Sequence, residues 1–376
     1  MRNILILFLF AVIYSSCSIK HDTDHIIKID VDSCLTNNRV SIYDIFDKIE
    51  LIQLDDSLLT SNTVYSGATN ITTDGSNFYL LDCKSLTVNV YSQDGKSLYK
   101  VNNVGRGPGE YTMAAQIYYN NRLKLIEILN PIGKVLRYSC DSLKFVSELN
   151  FTGGPFATHY ISQIDEYYYL YSHSDEEQLY MLNESSDITT PLGYNSPTHL
   201  RHYMAASSGV FKLYDKPCIF RPYDGKVFTI NTESKSLNPL LDWDMGKYGC
   251  ELKDIPKYDD ARKYEDFIIN YSQNHIAAFC SISGTSEQIF ATLIFKGDIY
   301  TLVYNIIDNT YQLFDKTSEG MRFLPELFYE NVMYKFVDCT SLTSFINKDI
   351  LDDNSQKIFD QINQEDGCGI IKYTLK

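Results

Sequence analysis

Basic side chains are in short supply in this chain of 376 residues, where 33 Lys and Arg stand against 48 Asp and Glu for a formal net charge of −15. The few cationic groupings are as short as Arg262-Lys263. Phosphate recognition depends on clustered cations, so nucleic acid is excluded as a partner and anionic headgroups are repelled. Histidine is scarce as well, with seven in the chain, two of them (His21 and His25) in the leading segment. His199 and His202 fall in the loop-like "SPTHLRHY", where an exposed pair is expected rather than a metal site. No CxxC or Cys/His pairing at zinc spacing occurs, and no metal or other cofactor is expected. The GxSxG, HExxH and SxxK patterns are missing too, as is the Gly-Lys-Ser/Thr ending of a phosphate-binding loop. Long apolar runs are absent: the longest, Ile4 to Tyr14, is too short to cross a bilayer.

That short run has a function of its own. Arg2 precedes it and Ser15-Ser16-Cys17 follow, the order of a secretory signal peptide. Ending on a cysteine, the segment resembles a bacterial lipoprotein lipobox, from which it departs at Tyr14. The resemblance implies removal of residues 1–16, lipidation of Cys17 and a membrane contact made by the lipid anchor alone. Residues 17–38 then read as a polar tether, and Lys20, Asp22 and Asp24 loosely resemble the acidic export signals of Bacteroidetes surface lipoproteins. The expected location is the outer membrane, facing periplasm or exterior. Eight further cysteines are scattered singly, as expected of small buried thiols, with one or two disulfides left open.

What the chain has in abundance is aromatic: 30 Tyr and 20 Phe against a single Trp, Trp243. Aromatic and β-branched residues favour strands. Alternating runs flank short polar turns in "LTVNVYSQDGKSLYKV", "KVLRYSCDSLKFVSEL", "QLYMLNESSDITTPL", "KVFTINTESKSLNPLL" and "YTLVYNIIDNTYQLF". The turns centre on Asp94, Asp141, Ser186, Glu233 and Asp308, a spacing of 47, 45, 47 and 75 residues. Inside the longest interval, about 246–274, Tyr264, Phe267, Ile268 and Tyr271 follow helical spacing after Pro256. With that insertion subtracted, a period of roughly 45 residues carrying several strands predicts an all-β fold, a β-propeller. "KIELIQL" (48–54) and "GIIKYTL" (369–375) would pair the chain ends in one blade, closing a ring of six over residues 39–376. A β-sandwich pair is the alternative that regular strand spacing also permits.

The stretch "FYLLD…VYSQDGK…GRGPGEY" between Phe78 and Tyr111 resembles the NHL-type propeller unit. More closely, it resembles the six-bladed β-propeller lipoproteins of Bacteroidetes, NHL-like or TolB-like in architecture, and "RPYDGKVFTI" and "IYTLVYNIIDN" agree with it. The closing "EDGCGIIKYTLK" departs from the Asn-Pro ending of that pattern. "VGRGPGEY" (104–111) lacks the spacing of a dinucleotide fingerprint and reads as the crossover between two blades. Arg106 and Glu110 in it either brace the loop or face the channel. With Tyr111, His159 and Arg221 they are the ligand-binding candidates; no catalytic residue is assigned. "EYYYLYSH" (166–173) is expected as a strand with one face in the core. Paired carboxylates such as Asp352-Asp353 read as solvated charge. The leading function is non-enzymatic recognition of a glycan, a peptide or an envelope protein. The alternative is a lyase or hydrolase acting on an extracellular polymer, since a propeller can draw catalytic residues from several blades. A structural subunit of an envelope complex is the third reading.

Overall fold

The computed structural model describes residues 25–37, 40–55, 69–82, 84–155, 157–172, 177–194, 210–213, 215–221, 225–256, 261–285, 287–324, 326–364 and 367–376. Cys17, Cys83, His173, His199 and His202 lie outside them.

Six sheets, each built on four antiparallel strands, follow one another along the chain as six blades. Blade 1 is β3 (Thr69–Thr73), β4 (Asn77–Asp82), β5 (Thr87–Ser92) and β6 (Ser97–Val101). Blade 2 is β7 (Gln116–Asn120), β8 (Leu125–Asn130), β9 (Lys134–Ser139) and β10 (Phe145–Asn150). Blade 3 is β11 (Tyr160–Ile164), β12 (Tyr167–Tyr171), β13 (Leu179–Asn183) and β14 (Thr189–Pro191). Blade 4 is β15 (Val210–Leu213), β16 (Lys216–Phe220), β17 (Lys226–Asn231) and β18 (Ser236–Asp244). Blade 5 is β19 (Ala278–Gly284), β20 (Gln288–Phe295), β21 (Asp298–Asn305) and β22 (Thr310–Phe314). In blade 6, β23 (Leu327–Tyr329), β24 (Val332–Asp338) and β25 (Cys368–Leu375) are joined by β2 (Phe46–Gln53) from the other end of the chain. The fold is a six-bladed β-propeller. All five turns read from the sequence fall between the third and fourth strands of successive blades. The expected closure has the register Ile49↔Tyr373, Leu51↔Ile371 and Gln53↔Gly369.

Each blade is sandwiched between two others, so both of its faces are interior. One apolar cluster fills each gap. Tyr79, Val88, Ile117 and Ile126 fill that between blades 1 and 2, and Leu129, Ile161, Tyr168 and Leu170 that between 2 and 3. The tyrosines of β12 correct the expectation of a single core face. Tyr168 packs toward blade 2, while Tyr169 and Tyr171 pack toward blade 4. Inner strands present one open edge to the axis, and polar side chains bridge it. The Tyr119 N–H donates to Thr72 Oγ1 at 3.0 Å, the Ile161 N–H to Gln116 Oε1 at 2.9 Å, and the Ser162 hydroxyl to the Val210 carbonyl at 3.0 Å. Backbone groups that a closed sheet would pair are thereby satisfied across three successive blade boundaries.

The segment expected as a tether is folded over much of its length. Residues His25–Lys28 form β1, which pairs in parallel with β18 as a fifth strand of blade 4, with Ile27 opposite Trp243. Helix α1 (Val31–Asn37) follows. Ile27, Ile29 and Val31 alternate with the exposed Ile26, Lys28, Asp30 and Asp32 and bury themselves in the core between blades 4 and 5, which is why this stretch docks. Helix α2 (Ile42–Ile45) then leads into β2. The helical insertion holds two short 3₁₀ turns, Gly246–Tyr248 and Leu252–Asp254, and helix α3 (Ala261–Tyr271). Phe267, Ile268 and Tyr271 face Ile255 and Ile294 as their spacing requires, and the side chain of Tyr264 lies outside the described residues. Between β24 and β25 come α4 (Leu342–Phe345) and α5 (Asp353–Gln364), whose first turn Asp352 caps by accepting the Ser355 N–H at 2.7 Å.

Candidate functional site

The loop 104–111 runs from β6 to β7, as a crossover must. Glu110 is spent inside it: its carboxylate accepts the Gly107 N–H at 2.8 Å, and its backbone N–H donates to the Gly107 carbonyl at 3.0 Å. A methyl on Gly105 would overlap that carboxylate, so glycine there makes room for the brace. Tyr111 is buried; its N–H donates to the Asn103 carbonyl at 2.9 Å and its hydroxyl to the Leu86 carbonyl at 3.1 Å. Arg106 is exposed, and among the described residues no carboxylate pairs with it. His159 is half-buried at the entry to β11, where its N–H donates to the Tyr171 carbonyl at 2.9 Å. These four candidates therefore occupy the crossovers out of blades 1 and 2, away from Arg221 in blade 4.

Arg221 follows β16, its N–H donating to the Lys226 carbonyl at 2.7 Å and its guanidinium lying 5.2 Å from the Phe228 ring centre. It lines a cleft of about 530 Å³ on the blade 4–5 side. Five strands and the helical insertion build this cleft. The ends of β16 and β17 supply Arg221 and Lys226, and the end of β18 supplies Asp242, Trp243 and Asp244. Phe279 comes from β19 and Ile26 from the N-terminal strand β1, while Glu251 comes from the insertion. Lys226 and Asp242 are cross-strand partners joined at 3.3 Å. Asp244 accepts the Gly246 N–H at 2.9 Å, fixing the turn out of β18. Trp243 stacks on Phe279 at 5.8 Å and meets Tyr304 edge-on at 6.5 Å. Gly225, with φ +67°, lies flat against Phe279, where a Cβ would come within 3.1 Å of the ring.

One residue of this lining carries an unbalanced atom. Trp243 is 3% exposed, and its indole Nε1 has no hydrogen-bond partner among the described residues. An unsatisfied buried donor costs on the order of 1–3 kcal/mol. A larger cleft of about 740 Å³ lies at the ring seam, between β2, the Gln93–Lys96 turn and α5. There the lysines are paired, Lys96 with Asp94 at 2.6 Å and Lys372 with Glu50 at 3.5 Å, and Asp352 is occupied in capping α5. No three His, Cys, Asp or Glu side chains converge on a metal-holding arrangement among the described residues. Of the cleft, only Arg221 was legible as a site residue; Trp243 stood out as the single tryptophan, without a role.

Two solved structures share this architecture. A Bacteroides fragilis protein described provisionally as exported is similar with a TM-score of 0.67 and 16% identity over 94% of this chain and 99% of its own. A member of the DUF4221 family from Bacteroides vulgatus is similar with a TM-score of 0.52 and 11% identity over 88% of this chain and 97% of its own. At such identities the likeness carries the fold alone. No curated protein matches the chain. A family model spans residues 26–373, beginning within β1 and ending within β25, and by that match the chain belongs to the family described as Domain of unknown function (DUF4934).

Proposed function

We propose that this protein is an exported recognition module that binds its ligand in the cleft between blades 4 and 5, held at the outer membrane by lipid on Cys17. The observation that carries the binding role is a cleft of about 530 Å³ that gathers Arg221, Lys226, Asp242 and Glu251 around the buried Trp243. A rigid ring holds these groups, so little ordering is needed when a ligand arrives. The hydrolase or lyase reading finds less support in this cleft: Asp242 is ion-paired with Lys226, and Asp244 is engaged by the Gly246 N–H. Export draws support from the leading apolar run that ends at Cys17 and from the provisional description of the Bacteroides fragilis neighbour.

Trp243 is the only tryptophan, so intrinsic fluorescence reads this cleft directly. Ligand is expected to shift that emission saturably, and Arg221→Ala is expected to weaken binding about tenfold or more while leaving the unfolding midpoint nearly unchanged. Ligand binding indifferent to both Arg221→Ala and Trp243→Phe would sink the assignment. Anchoring is tested apart from binding: Cys17→Ala should move the protein from the membrane fraction to the soluble one, and unaltered lipid labelling would overturn that part.

A further inference from the structure

We infer that the outer rim between blades 1 and 2 is a docking surface for a partner protein, taking an acidic segment in which Asp or Glu is interleaved with apolar side chains. This rim lies across the ring from the cleft between blades 4 and 5, and the inference does not depend on what that cleft binds.

Charge singles out the sector. From β5 to the end of β10, residues 87–150, eight Lys and Arg stand against five Asp and Glu, a net +3 in a chain of −15. Four of the eight cations are spent on carboxylates: Lys96 on Asp94, Arg122 on Glu184, Lys134 on Glu148 and Arg137 on Glu127. Lys100, Arg106 and Lys144 are exposed at the rim. Of the carboxylates near them, Glu110 is held by the Gly107 N–H and Asp141 lies close to Lys144.

The same rim is apolar. Leu98, Val104, Phe145 and Val146 are between 38% and 52% exposed, four of the eleven large apolar side chains exposed among the described residues. Two β-bulges contribute. The register of β6 skips Leu98 and that of β10 skips Val146, so each bulge leaves an apolar residue unpaired and turned outward. The bulge in the outer strand of blade 6 presents Asp47 instead. The pieces of the rim touch one another: the Tyr99 hydroxyl on β6 donates to the Cys140 carbonyl at 3.4 Å, and Gly109 lies flat against the Phe145 ring. Each exposed cation stands within two residues of an exposed apolar side chain, Lys100 by Leu98, Arg106 by Val104 and Lys144 by Phe145.

This pairing of charge and apolar surface selects the occupant. A polyanion without apolar groups would neutralise the cations and leave the four apolar side chains in water. A second copy related by a two-fold axis would set one positive rim against another. A bilayer holding lipid on Cys17 is approached from the opposite side, since β1, the described strand nearest that residue, docks between blades 4 and 5. An acidic protein segment carrying apolar residues satisfies both features. In extended form it can also add to β10, the outermost described strand of blade 2.

The test selects random dodecapeptides, displayed on phage, against the purified chain, then titrates the enriched sequences as synthetic peptides by fluorescence anisotropy. Enriched sequences should carry Asp or Glu interleaved with apolar residues, and their affinity should fall as salt rises from about 50 to 500 mM. Binding should weaken about tenfold or more in the double variant Lys100→Glu, Lys144→Glu, and measurably in Val146→Ser. These positions are exposed, so the unfolding midpoint should hold, and Arg221→Ala in the distant cleft should leave peptide binding unchanged. Failure to enrich any peptide, enrichment of neutral or basic ones, or binding indifferent to the double variant and to Val146→Ser overturns the inference. So does binding of polyglutamate, or of phosphatidylglycerol–phosphatidylcholine vesicles, as tight as that of the peptides. Self-association of the chain that the double variant abolishes would assign the rim to a second copy instead.

Discussion

At the scale of single residues, the most conspicuous sequence motif is a structural device. Glu110 folds back over Gly105 and takes the Gly107 N–H, so the loop carries its own acceptor. The Tyr138 hydroxyl donates to the Gly109 carbonyl at 2.9 Å and pins the loop to blade 2. Gly105→Ala should therefore evict the Glu110 carboxylate and lose that bond, costing about 1–2 kcal/mol in urea unfolding. Glu110→Ala alone should cost about as much. The double substitution should cost clearly less than the two together, since each removes the same contact. Strict additivity would mean that the carboxylate is not the brace.

At the scale of elements, blades 2 and 3 are locked by charge as well as by packing. Glu127 on β8 is fully buried; it accepts from Arg137 Nε at 2.8 Å, from the Tyr168 hydroxyl at 2.7 Å and from Asn120 Nδ2 at 3.2 Å. Arg137 reaches on to Glu184 of blade 3 at 3.3 Å, where Arg122 pairs as well. Burial, and then the charge of Glu127, push the Tyr168 hydroxyl well up, so it stays a proton donor at any ordinary pH. Two carboxylates and two guanidiniums balance, with Glu127 buried at the inner end and Arg122 exposed at the outer one. Arg137→Met should leave Glu127 buried without its cation, at a cost of about 3–5 kcal/mol measured by denaturant unfolding. A loss under about 1 kcal/mol would show that the charge is solvated in the native state. This lock also marks a limit of reading strands by alternation. Glu127 lies between Ile126 and Ile128, where alternation assigns it to solvent. In a propeller both faces of a blade are interior, so the second face of "LIEIL" is core too. The hairpin turns were legible because period-2 patterns and turn residues are local. The network and the Trp243 cleft were not, because they gather residues from separate blades, and in the cleft from positions as far apart as Ile26 and Phe279.

On the scale of the whole molecule, a ring has one weak point that an ordinary sheet protein lacks. The four successive strands of each of blades 1 to 5 are continuous in sequence, with β1 added at the edge of blade 4, whereas blade 6 is completed by β2 lying on β25, from opposite ends of the chain. "KIELIQL" and "GIIKYTL" announced that closure, because two orphan alternating runs at the termini have no other partner in a closed ring. Apolar side chains on both faces hold the seam: Leu51, Ile371 and Tyr373 toward blade 5, Ile52 and Ile370 toward blade 1. If unfolding begins by parting this seam, a covalent link across it should stabilise the entire ring. Glu50 and Lys372 are cross-strand neighbours, and their ion pair at 3.5 Å is half-exposed, so replacing both with cysteine sacrifices little. The bond would close a loop of about 320 residues, and chain-entropy reasoning then gives roughly 2–4 kcal/mol after allowance for strain. The oxidised double variant should unfold at higher denaturant than its reduced form, in one transition, with the gain appearing mainly as slower unfolding. Equal unfolding rates for the two forms would mean that the ring first opens at another blade boundary. The boundary between blades 3 and 4 is then the one to staple next, since no buried ionic lock like that between blades 2 and 3 joins it among the described residues.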